Sequence, residues 1–100
     1  METNCDKIAE EYVDRIVEQY NEGKLDKYLG DCLDIEFIVN RNKKLVNAKI
    51  LLTYGGPNVW VDVNFGRVEV SWGGAKGQHA IPDEVLGEMW MWCINEWKSA

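Results

Sequence analysis

The sequence has one histidine, His79, three cysteines and two prolines, and its eleven Lys and Arg are outnumbered by seventeen Asp and Glu. Each shortage excludes something. A lone imidazole has no second one to form a metal pair. Cys5, Cys32 and Cys93 stand far apart without CxxC spacing, which fits reduced thiols rather than a zinc site or a disulfide framework. No metal and no cofactor is expected. No Ser or Cys has the flanking residues of a nucleophile elbow or a thiol protease, and GGAKGQ (residues 73–78) lacks the order that wraps a phosphate in a P-loop. His79, alone between GQ and AIP, reads as a polar surface residue before it reads as a base. No apolar run approaches the roughly 18 residues of a membrane span, and METNCDKIAEEY lacks the apolar stretch of a signal peptide, so a cytoplasmic protein is expected.

Basic charge is scarce as well, and the net charge is −6. Residues 1–36 hold four Lys or Arg against eleven Asp or Glu, a balance of −7, whereas residues 37–50 hold Arg41, Lys43, Lys44 and Lys49 and no acid. Such a chain is repelled by phosphate backbones, so direct nucleic-acid binding is disfavoured and a basic protein surface is the natural partner.

What is present is apolar surface: 46% of the chain, including five tryptophans. One hundred residues can bury this in a single domain, residues 1–100, without staples. Thr3 followed by Asp6 is an acidic variant of a helix-start signature. Cys5, Ile8, Tyr12, Val13, Ile16, Val17 and Tyr20 then recur at helical spacing, and Gly23 ends the helix. Asp6, Glu10, Asp14 and Glu18 fall on its other side. That side is either a solvated face with a few ion pairs or an acidic surface for a basic partner. Leu25, Tyr28 and Leu29 suggest a helical turn or two before Gly30.

From Asp34 the period becomes two. Ile35, Phe37 and Val39 alternate with Asp34, Glu36 and Ile38, NRNKK turns the chain, and Val46, Ala48, Ile50, Leu52 and Tyr54 return. Val59, Val61 and Val63 make a third strand. After Asn64-Phe65-Gly66, Val68, Val70 and Trp72 make a fourth. Short connections require an antiparallel meander. Gly73, Gly74 and Gly77 predict a flexible loop, and Pro82, Asp83 and Glu84 open a last helix with Leu86, Met89, Trp90, Cys93 and Trp97 on one face. The expected fold is α+β: a four-stranded antiparallel meander packed with an N-terminal and a C-terminal helix. Trp92 and Met91 lie away from the centre of the last helix's apolar face; either that helix is buried on more than one side, or the pair is exposed and marks a partner site. Trp60, Asp62, Arg67 and Glu69 fall on the sheet face opposite the valines, where opposite charges across a hairpin stabilise the sheet modestly.

The stretch LLTYGGPNVWVD, followed by VEVSWGG, resembles small proteins encoded by bacteriophages and prophages in which a G-G-P-N-x-[WY]-V-D strand pairs with a V-E-x-x-W-G strand. The resemblance covers roughly residues 34–98. Those proteins commonly carry Thr after the Asp, where this chain has Val63. Members of this type occur among anti-CRISPR and related counter-defence candidates, so the resemblance implies a phage accessory role in the host cytoplasm and no catalytic residue. The expected function is a non-enzymatic inhibitor of a host defence nuclease complex. Asp6, Glu10, Asp14, Glu18, Trp60, Asp62 and Trp92 are the candidate partner-binding residues, and a homodimer is possible. The alternative is a small-ligand or nucleotide-binding module formed by Asn58, Trp60, Asp62 and the segment around His79.

Overall fold

A computed structural model describes residues 4–100. Helices α1 (Cys5–Asn21) and α2 (Leu25–Gly30) precede strands β1 (Asp34–Val39), β2 (Leu45–Thr53), β3 (Asn58–Asp62), β4 (Arg67–Trp72) and β5 (Ala75–Ala80), and helix α3 (Asp83–Ser99) closes the chain. The strands pair antiparallel in the order β1-β2-β3-β4-β5. The meander therefore has five strands where four are expected.

The missed strand explains itself. Trp72 pairs with Ala75 across Gly73-Gly74, whose φ angles are 58° and 85°. Two positive φ values in a two-residue connection are what a tight hairpin demands, and glycine supplies both without steric cost. AKGQHA (residues 75–80) carries no β-branched or aromatic residue, so propensity is silent, and its three small residues read as a loop. Smallness serves packing here. A Cβ at Gly77 would collide with the backbone of Cys5 and Asp6, so a bare strand lets α1 lie directly on the sheet.

The helix start predicted at Thr3 lies outside the described residues; Asn4 caps α1, its Oδ1 accepting from Lys7 N at 3.0 Å. At the other end Lys24 N donates to Gln19 O and Gly23 N to Tyr20 O, the paired bonds of a glycine-terminated helix. α1 lies over β4 and β5. α3 reaches β1 at its far end, where the Phe37 and Trp97 rings stand 5.3 Å apart. All buried apolar side chains among the described residues form one cluster between helices and sheet, with Ile16, Leu25, Leu29, Ile50, Val59, Val61, Val68 and Met89 sealed. Each such side chain stabilises the fold by about 1.5–3 kcal/mol relative to exposure. The helices cover the valine face, and among the described residues no helix lies on the opposite sheet face.

GGPN is a self-contained turn. Asn58 Oδ1 accepts from Gly55 N at 3.2 Å, and Thr53 Oγ1 donates to Pro57 O at 2.6 Å. Both bonds close on the turn itself.

Candidate functional site

The outward side of α1 is built by the same periodicity that buries Cys5, Ala9, Val13 and Ile16. Asp6, Glu10, Asp14 and Glu18 are all exposed, as are Glu11 and Glu22. Among the described residues no ion pair involves Glu10, Asp14 or Glu18. The two bases of this helix do little to offset the acids: Lys7 extends into solvent, and the Arg15 guanidinium lies over the Tyr12 ring, 4.6 Å from its centroid. Asp6 differs from the others. Its Oδ1 accepts from Gln78 N at 2.9 Å, fastening the start of α1 to the outer edge of β5.

Asp6 also stands at one wall of a depression of about 410 Å³ on the uncovered sheet face, with Trp60, Glu69, Ser71, Lys76 and Gln78 around it. Register assembles it: Trp60 faces Glu69 across β3–β4, Glu69 faces Gln78 and Ser71 faces Lys76 across β4–β5. Trp60 is half-buried, with Leu51 as its other cross-strand neighbour. Glu69 is held by Arg67 at 3.1 Å, and the Arg67 guanidinium sits over the Phe65 ring at 5.1 Å. Lys76 and Gln78 escape a reading of the sequence, because β5 itself does, and with them the role of Ser71 on β4; the Gly-Gly pair after Trp72 was the signal available.

Asp62 and Trp92 are placed where partner contact is denied to them. Asp62 is 2% exposed. Its Oδ1 accepts from Asn47 Nδ2 at 3.0 Å and from Phe65 N at 3.1 Å, and Lys49 Nζ lies 3.8 Å from Oδ2. Asn47 Oδ1 in turn accepts from Ala48 N and Asn64 N. This buried network shapes the turn between β3 and β4, satisfying backbone donors that would otherwise be stranded. Strand alternation correctly puts Asp62 opposite the valines, yet cannot show that a turn folds over it. Trp92 is 8% exposed and belongs to the core. Val85, Met89, Trp92 and Cys93 are buried on α3, with Leu86, Trp90 and Trp97 half-buried. This apolar arc spans roughly 160° at roughly 100° per residue, because α3 packs on α1 and α2 as well as on the sheet. Of the pair flagged on α3, Met91 is the exposed member.

The pocket expected from Asn58, Trp60, Asp62 and His79 does not assemble. His79 lies on β5 opposite Val68, one residue out of phase with the Glu69–Gln78 pair, so it points to the helix side while Trp60 points to the other. Among the described residues no group of three or more His, Cys, Asp or Glu side chains is placed to hold a metal ion, and no helix is long and apolar enough to cross a membrane. Cys93 is fully buried and its thiol is pushed up to about 12, first by burial and then by its neighbours Cys32 and Glu96. Cys32 is raised for the same leading reason. Thiols so raised are poor nucleophiles.

No family model, no curated protein and no solved structure matches the chain.

Proposed function

We propose that the protein is a non-enzymatic inhibitor of the phage accessory type, an anti-CRISPR-like protein that occupies a basic surface on a host defence nuclease complex. The observation that carries this reading is the outward face of α1, where Glu10, Asp14 and Glu18 are exposed and unpaired among the described residues. Channels that hold guide RNA or DNA are positively charged, and fixed carboxylates along a rigid helix compete for them with fast, salt-sensitive encounter. The phage-type GGPN and VEVSWGG motifs support the same reading. Asp62 and Trp92, buried as they are, drop out of the contact surface; Asp6, Glu10, Asp14, Glu18 and Trp60 remain. DNA cleavage by CRISPR effector complexes of the host tests it. The purified protein is expected to suppress cleavage by at least one effector type, and the triple variant Glu10→Lys, Asp14→Lys, Glu18→Lys is expected to lose that suppression. Unchanged cleavage across all effector types would overturn the reading.

The depression around Trp60 favours a second reading, a small-ligand or nucleotide-binding module, since it offers an aromatic wall beside Glu69, Ser71, Lys76 and Gln78. A thermal-shift screen with nucleotides and cyclic nucleotides tests it. A ligand at 100 times its dissociation constant adds about 2.7 kcal/mol of stability, and Trp60→Ala is expected to abolish the shift.

A further inference from the structure

The two edges of the sheet are treated differently. On β5 the outward amide of Gln78 is capped by Asp6 and α1 lies against Gly77, so pairing there is blocked. Among the described residues β1 has no such cover. Val63 N donates to Ala48 O, so alternate residues of β2 face β3, and Asn47, Lys49 and Leu51 turn their main-chain groups to β1. Their partners are Ile38, Glu36 and Asp34. The main-chain groups of Ile35, Phe37 and Val39 therefore point away from the sheet. Ile35 N is satisfied by Asp34 Oδ1 at 2.8 Å, while Phe37 and Val39 face outward at the open end of the strand order. Exposed apolar side chains gather at the same place: Leu33, Ile38, Val39 and Val46 are half of the large ones exposed among the described residues.

We infer that this edge is the interface of a two-fold dimer, in which β1 pairs antiparallel with β1 of a second copy around Phe37 and the two sheets become one. The occupant is identified by self-complementary charge. Asp31 before β1 and Asp34 and Glu36 in its first half are acidic, and Arg41, Lys43 and Lys44 follow its end. Antiparallel pairing lays the acidic end of one copy along the basic end of the other, twice by symmetry. Centring on Phe37 places Ile35 opposite Val39, where Val39 N meets Ile35 O and Ile35 N exchanges its exposed Asp34 Oδ1 partner for Val39 O, and it sets Glu36 opposite Ile38, with no like charges facing each other. Centring one residue earlier would oppose Glu36 to Glu36. The acidic α1 lies over β4 and β5, at the far side of the sheet, so its carboxylates do not repel across the contact. A basic foreign strand would match only one half of this pattern.

Light scattering between about 10 µM and about 1 mM, the weak end of specific association, tests the inference. The weight-average mass is expected to rise from 11.5 kDa toward twice that value. Ile38→Glu sets a carboxylate against Glu36 of the second copy, once on each side of the two-fold, and is expected to weaken dimerisation about tenfold with an unchanged circular dichroism spectrum. Combining it with Glu36→Gln removes the like-charge contact without setting a second cation opposite Lys49 on β2, and is expected to recover the dimer, which a merely misfolded edge would not. Amide exchange at Phe37 and Val39 is expected to slow as concentration rises. A wild-type mass that stays at 11.5 kDa throughout, or an Ile38→Glu protein that dimerises like the wild type, would overturn it.

Discussion

At the scale of single residues, the side chain most easily mistaken for a contact group is a structural one. Asp62 receives Asn47 Nδ2 and Phe65 N in a sealed site, so Asp62→Ala leaves both donors without their acceptor. The expected cost is about 1–3 kcal/mol, read as a lower urea midpoint; under the proposed inhibitor function, nuclease inhibition per folded molecule is expected to stay unchanged. The thiols give a pH dependence of definite sign. Cys93 is raised from 9.0 to about 12, so unfolding gains nothing from its ionisation below pH 9.0. As pH rises from 9.0 toward about 12 the unfolded thiol ionises while the folded one stays protonated, and stability falls across that window. Cys32 and Tyr28, both raised by burial, act in the same direction. Urea titrations on both sides of pH 9 should show the decline, and Cys93→Ala should flatten part of it.

At the scale of elements, two glycines separate steric need from chance. Gly77→Ala drives a Cβ into the backbone at Cys5 and Asp6, which has no flexible end to yield, and is expected to destabilise by about 1–3 kcal/mol and to loosen α1 from β5. Gly87 lies in α3, exposed, with nothing near the Cβ it would gain, so Gly87→Ala is expected to stabilise by about 1 kcal/mol. Thermal unfolding of both variants checks the pair. Helices α1 and α3 and strands β1 to β4 are legible in the sequence because their apolar residues keep one period throughout. β5 is not, since small residues chosen for close helix packing carry no hydrophobic rhythm. The burial of Trp92 is likewise hidden, because the width of the α3 arc depends on α1 and α2 closing around it.

At the scale of the whole molecule, charge and edge are separated across the sheet: acid along α1 over β4 and β5, open backbone on β1. An inhibitor that works through exposed carboxylates binds faster at low ionic strength. Under the proposed function, association with the nuclease complex is therefore expected to slow by an order of magnitude or more when salt shortens the screening length from about 10 Å to about 3 Å, as stopped-flow mixing would record. Glu10→Lys, Asp14→Lys and Glu18→Lys together should remove most of that salt dependence and leave self-association through β1 intact, since α1 does not border that edge.

The sequence by itself determined the alternating strands, the two long helices and their amphipathic faces, and the negative outer surface, because periodicity and charge are properties of neighbouring residues. Only the tertiary structure decided that Asp62 is sealed under its own turn, that His79 and Trp60 look to opposite sides, and that one sheet edge is capped while the other is bare. Those outcomes depend on which distant segments come to rest against one another, and local pattern does not encode that.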